Sequence, residues 1–404
     1  MASLARFLRR LPGPAAAALL GAVALRAAPA PPRLPPFSGE LSGRLAPTVL
    51  GGAPEVEWTL RLRAERPFER RIGFDLKSRG LEARGEAVLD AAGDGTWHLE
   101  EARVDLGEWA GWVAPQLSPA FAAVTLSGTL TLQGRLDWRA GRMGGALELA
   151  VRDGRFDDPG RQLMLEGISF DLEIADLAAR RTAPAQVFTW RSGRYDVVPL
   201  GVGRVEFLVD GDTLRVTKAA IDVFGGELST PSLVMSLTKP EFSVLARVEG
   251  IAVDQILFLL PSVLAEGFGR LDGEVRLDRG PDGLRIGDGR LALRSGETAD
   301  LRLAIKPGWL STSLPPEILK YFPGFRKIET GEIPLRARVL EMTFTPLGDA
   351  EGRTAWVHVA GGPSDPELTA PIDTRINVRG PLDRLVKIGA DVGTDSRLRF
   401  KGAP

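Results

Sequence analysis

Strict two-residue alternation of apolar and polar side chains is the feature that most constrains this chain. Val124, Leu126, Leu130, Leu132, Leu136 and Trp138 share one parity, and Thr125, Ser127, Thr129, Thr131, Gln133, Arg135 and Asp137 share the other. Successive side chains of a strand point to opposite faces, so this segment has one apolar and one wet face. Gly128 and Gly134 fall on the apolar parity, where they mark bends or gaps in side-chain cover. The pattern recurs at Val56–Leu62, Leu147-Leu149-Val151, Ile168–Ile174, Val205-Phe207-Val209, Phe242–Val248, Leu271-Val275-Leu277, Leu301–Ile305 and Ile372–Val378. Asp-Gly pairs at Asp153, Asp282 and Asp288 separate several of these runs, and the chain holds 47 Gly and 30 Pro. Many turns between short alternating runs predict roughly 15–18 strands. Unbroken apolar runs, the mark of buried parallel strands, are rare, so the sheet is expected to be mainly antiparallel.

Three apolar segments interrupt the strands: Leu106 to Val113 with Trp109 and Trp112, Val253 to Leu260, and Pro315 to Phe322. Each is followed closely by Pro (Pro115, Pro261, Pro323) and spans about two helical turns, too short to persist unless packed on the sheet. A faint internal repeat accompanies them. Ala102-Arg103-Val104-Asp105 leads into the first helix, and Ala246-Arg247-Val248-Glu249 leads toward the second. Stacked repeats of this kind build elongated proteins.

The N-terminus reads as an export signal. Arg6, Arg9 and Arg10 precede the apolar run Ala15 to Leu25, and Ala28-Pro29-Ala30 gives a small-residue cleavage pattern. Residues 1–30 are therefore expected to be a signal peptide or an N-terminal membrane anchor, and 31–50 a Pro-rich spacer. Two β units are expected to follow, over 51–225 and 226–404.

Chemistry-bearing patterns are sparse. Cys is absent, which removes disulfides, thiolate metal sites and thiol nucleophiles. His98 and His358 alternate onto the polar sides of their strands, without a second His at metal-ligand spacing. Gly201-Val202-Gly203 and Gly287-Asp288-Gly289 lack the residues that complete a phosphate loop, and Asp210-Gly211-Asp212 lacks the distal acid of a calcium loop. Lys and Arg number 51 against 52 Asp and Glu, so no basic stripe recommends a nucleic-acid partner. The expectation is a non-enzymatic protein without metal or cofactor.

The segment from Gly225-Gly226-Glu227-Leu228 through Gly269-Arg270-Leu271-Asp272-Gly273 to Asp288-Gly289-Arg290-Leu291 and Leu301–Ile305 resembles the C-terminal part of the YdbH family, relatives of the AsmA and TamB proteins. The resemblance implies an elongated, repeating β-groove, a twisted taco-like sheet with a few short helices. It also implies a periplasmic or inner-membrane-anchored location and phospholipid carried toward the outer membrane. The family also carries the label dicarboxylate transport, for which these residues offer no support.

Physics alone arrives at a related picture. An apolar sheet face must be covered by protein or by something else apolar. The residues expected to line a lipid groove are Val124, Leu126, Leu130, Leu132, Leu136, Trp138, Leu147, Leu149, Val151, Val205, Phe207, Val209, Leu271, Val275 and Leu277. The competing architecture is a set of closed β-sandwiches with a structural or assembly role in the envelope. An open sheet also leaves a terminal edge, so strand addition is expected at the C-terminal end, by another copy or, on the resemblance, by a small outer-membrane lipoprotein.

Overall fold

The structure is a computed structural model. It describes residues 37–47, 54–66, 69–90, 94–117, 123–139, 142–196, 198–256, 264–280, 283–303, 320–322, 324–345, 353–368 and 370–379. The expected signal or anchor, and the chain from 380 onward with the Leu398 to Phe400 strand candidate, lie outside these residues. Among the described residues there are 23 strands and three short helices, joined by antiparallel pairings throughout, so the protein is all-β. The strand number exceeds the expected 15–18 because several short strands, such as Arg181–Thr182 and Leu233–Ser236, carry too few alternating residues to show in the sequence. No helix among the described residues is long and apolar enough to cross a membrane.

The first compact unit opens with a meander: β1 (Phe37–Leu45), β2 (Val56–Arg66), β3 (Glu69–Ser78), β4 (Leu81–Leu89) and β5 (Gly95–Asp105). β1 occupies a segment expected as spacer. It pairs with β2 over its whole length, and Leu41 falls opposite Leu60 in continuation of the apolar face. Helix α1 (Leu106–Leu117) comes directly after β5 and runs two residues past Pro115. Asp105 caps it, its Oδ1 accepting from Gly107 N–H at 2.8 Å. Trp109 is buried against Val56, Leu76 and Leu81, and its Nε1–H donates to Arg79 O at 3.0 Å. Two long strands come next, β6 (Thr125–Arg139) and β7 (Arg142–Asp158), and then β8 (Leu163–Asp176). The expected break at Gly128 is real: φ is +115° and the β6–β7 register shifts between Ser127 and Thr129. The short β9 (Arg181–Thr182), β10 (Gln186–Trp190) and β11 (Ser192–Tyr195) lead to β12 (Val198–Asp210), most of which belongs to this unit.

The second unit holds the end of β13 (Thr213–Val223), then β14 (Gly226–Thr230), and, after β15 (Leu233–Ser236), the strands β16 to β23. β16 (Phe242–Ala252), β18 (Arg270–Gly280), β19 (Gly283–Leu293), β21 (Leu335–Phe344), β22 (Arg353–Pro363) and β23 (Ile372–Arg379) pair in that order. β17 (Leu264–Phe268) runs into β18 through Gly269, whose φ of +143° and contact with Ala299 leave no room for a Cβ. β17 pairs with β20 (Ala299–Leu303), and β20 with one end of β21, which makes a two-stranded arm that departs from the main sheet. Helices α2 (Val253–Ile256) and α3 (Gly324–Glu329) complete this unit. The third helix was expected to end at Pro323. Residues 315–319 and 323 lie outside the described part; Lys320 and Tyr321 are helical and Phe322 is not, so the helix stops before Pro323 as expected, and α3 begins separately at Gly324.

Candidate functional site

Directly paired residues of an antiparallel ladder share a face, so the registers can be followed as rows across the strands. In the first unit one row runs Trp58, Leu76, Ala83, Ala102, Leu132, Leu149, Leu172. The next runs Leu60, Phe74, Gly85, Leu99, Gly134, Leu147, Ile174. A third runs Leu62, Ile72, Ala87, Trp97, Leu136, Gly145. On the other side of the Leu132 row lies Leu81, Val104, Leu130, Val151, Phe170, Phe188, Val205. From Leu126 to Trp138 on β6, Leu147 to Val151 on β7 and Ile168 to Ile174 on β8, this face carries no charged side chain.

The structure brings most of the sequence-nominated residues onto this one face. Leu126, Leu130, Leu132, Leu136 and Trp138 of β6 and Leu149 of β7 are only half-buried. Leu147 and Val151 are buried, and Val124 is buried just before β6 begins. On β12, Val205 and Phe207 are half-buried and Val209 is buried. The two buried clusters of the first unit are small, four residues each, centred on Trp109 and on Trp97. They lie at β2 to β5; at β6 to β8 the face is half-buried at Leu126 to Trp138, Leu149, Phe170 and Leu172 and buried at Leu147, Val151, Ile168 and Ile174.

Leu271, Val275 and Leu277 are in a different environment. They belong to the second unit, where twenty buried residues form one cluster. Leu271 is fully enclosed, together with Ala299 and Leu301 from the arm, Val253 and Ile256 from α2, and Phe325 and Ile328 from α3. Val275 is buried in the same cluster, and Leu277 is half-buried and packs against it.

Sequence reasoning passed over Phe188, Trp190, Gln186 and Thr182. The signal for the first two was present: Gln186, Phe188 and Trp190 alternate with Val187 and Thr189, but over only five residues. Phe170 and Phe188 stack with centroids 6.0 Å apart, and Phe188 lies 5.8 Å from Trp190.

The opposite face is a lattice of Arg–carboxylate pairs, among them Arg61–Asp75 at 2.7 Å, Arg155–Glu166 at 2.8 Å and Arg290–Glu341 at 2.7 Å. Thr96 donates to Asp137 at 2.9 Å and, with Arg135 beside it, holds that carboxyl below its usual range. A cleft of about 680 Å³ takes its side chains mainly from this polar parity, among them Glu148, Asp171, Glu173 and Arg84, which lies 3.6 Å from Glu100 and 3.5 Å from Glu101. Both nominated histidines lie on this parity too. His98 is opposite Glu86 and Arg135, and His358 Nε2 is 2.8 Å from Asp373 Oδ1. Exposed pairs of this kind keep the face wet and add little stability, about 0–1 kcal/mol each.

These features define an all-β protein whose antiparallel strands present a long apolar face, covered by protein in one unit and partly uncovered in the other. The chain belongs to the YdbH-like family, whose model, described as intermembrane phospholipid transport protein YdbH, matches residues 4–302. That family places it in lipid transport within the cell envelope. No curated protein and no solved structure matches the chain.

Proposed function

We propose that this protein conducts phospholipid between the inner and outer membranes by laying acyl chains on the apolar face of the first unit, while headgroups stay in water. The observation that carries this reading is the Leu130 and Leu132 rows, apolar across β5 to β8 and free of charge, in which Leu130, Phe170, Leu132, Leu149 and Leu172 are half-exposed. Uncovered apolar surface costs about 25 cal/mol per Å², and a lipid tail removes that cost. The Arg6 to Leu25 segment supports export, with the N-terminus either cleaved or held in the inner membrane. The enclosed core of the second unit favours a structural role for that half.

The test is a photo-crosslinking amino acid placed singly at Leu130, Thr131 and Leu271 in cells. Leu130 is expected to capture phospholipid, while Thr131 on the wet face and Leu271 in the closed core are not. Equal capture at Leu130 and Thr131 rules out the apolar face as the path.

A further inference from the structure

We infer that the apolar path of the first unit narrows at β10 to the width of one acyl chain, and that Phe188 is the residue that sets this width. The inference rests on the lipid-conduction reading above. At β6 the neighbouring apolar rows from Leu126 to Trp138 are all half-exposed, and rows on one face lie about 6.8 Å apart along the strands. Two hydrocarbon chains in contact, about 4.5 Å apart, fit side by side there.

Beyond β8 the rows end one by one. The Leu147 row stops at Thr182, which is buried and whose Oγ1 accepts from Val209 N–H at 2.9 Å. In the Leu132 row, Phe207 pairs with Gln186 rather than with an apolar residue. Gln186 is buried and fully used: Oε1 accepts from Glu173 N–H at 2.7 Å, and Nε2 donates to Ala183 O and Pro184 O. On the far side of the Leu130 row, Trp190 is buried with its ring packed against Gly203, where an added Cβ would lie 1.9 Å from the ring. Only the Leu130 row crosses β8, β10 and β12 without a break, through Phe170, Phe188 and Val205, all three half-buried. A path one row wide holds one chain.

The narrow point makes a distinct demand. A lipid with two tails must pass it with the tails in file or with one tail off the face, whereas a single-tailed lipid passes unchanged. Enlarging the side chain at 188 should therefore slow two-tailed lipids selectively. The experiment uses the purified full-length protein and measures transfer of fluorescent diacyl phosphatidylethanolamine and of its single-tailed lyso form between vesicles. A diacyl lipid bearing a diazirine in one tail measures occupancy.

Phe188→Trp is expected to slow diacyl transfer about tenfold while lyso transfer changes by less than about twofold. Phe188→Leu should transfer the diacyl lipid at least as fast as the parent. Thr131→Trp, on the wet face, should leave both rates nearly unchanged, and thermal melting confirms that each variant is folded. Parental diacyl transfer by folded Phe188→Trp, equal slowing of both lipids, or equal slowing by Thr131→Trp overturns the pinch and leaves the conduction reading standing. A parent protein that captures no diazirine lipid overturns both.

Discussion

The two units use similar strands to opposite ends. Each has a helix that begins where a strand ends, pinned by a backbone hydrogen bond to a neighbouring turn: Asp105 N to Gly80 O at 2.7 Å before α1, and Ala252 N to Phe224 O at 2.9 Å before α2. Past the helix the two units diverge. In the first unit α1 hands over to β6, β7 and β8, which are 15, 17 and 14 residues long and extend the apolar face beyond the reach of α1. In the second unit the chain bends at Gly269 and after β19, and the β17–β20 arm and α3 cover the face. An apolar sheet face thus closes when strands are short and broken by bends, and remains partly open when they run long.

Charge insertion gives the largest contrast. Leu271→Asp places an unpaired carboxylate in a site with no access to water, and should cost more than about 4 kcal/mol, enough to unfold the second unit. Leu132→Asp, on the half-buried face, should cost about half as much and instead abolish lipid transfer. Urea denaturation beside vesicle transfer separates the two outcomes. Equal destabilisation means that the first unit is as closed as the second. Truncation gives a smaller version of the same contrast. Leu301→Ala should cost about 3 kcal/mol through the cavity it leaves, and Leu130→Ala about 1 kcal/mol because its surroundings are already open. Bound lipid should raise the melting temperature of the parent by more than that of Leu130→Ala.

Period-two alternation made the strands legible, because one face was wet all along the chain. The eight runs singled out in the sequence, Val56–Leu62 to Ile372–Val378, all fall on strands of the sheet, Leu301–Ile305 through its first three residues. Alternation says only that a face is apolar, and cannot say what covers it. Leu271 and Leu132 look alike in sequence, yet one is enclosed by α2, α3 and the arm, and the other is not. Those covering contacts join residues far apart in the chain, such as Leu301 and Leu335. The narrowing at β10 was hidden for another reason. Gln186 and Thr182 read as ordinary polar residues until the registers place them in line with Leu172 and Ile174.

Trp109→Phe sharpens the part of the comparison that concerns α1. The ring stays apolar, but Arg79 O loses its donor. The expected cost is about 1 kcal/mol, and because the Trp109 ring packs on Val56, Leu76 and Leu81 of β2 to β4, diacyl transfer should hold at the parental rate. Lost transfer without lost stability means that α1 forms part of the path.

The smallest expected effect concerns the covering arm. Asp272 accepts from Arg294 Nε and Nη2 at 3.0 and 2.9 Å and from Gly250 N–H at 2.6 Å. It thereby ties the β16 bulge to the end of β19, where the chain turns into the arm. The Arg294 hydrogen bonds, chiefly, hold its carboxyl below the ordinary value of 3.8, with the Gly250 N–H adding to them and burial opposing. A depressed carboxylate stabilises the fold fully above that ordinary value, and its contribution is lost as pH falls through the lower folded value. Asp272→Asn should therefore cost about 1 kcal/mol at pH 7, discounted for its partly exposed side chain. The gap between parent and variant in urea melts should shrink as pH falls below the ordinary value of 3.8 and through the lower folded value. Asp137 is depressed in the same direction in the first unit, through Thr96 first, but it anchors no covering element. Asp137→Asn should show the same acid trend at smaller amplitude, and its lipid transfer should be unchanged. An Asp137→Asn loss at least as large as that of Asp272→Asn shows that closure of the second unit does not depend on the Asp272–Arg294 tie.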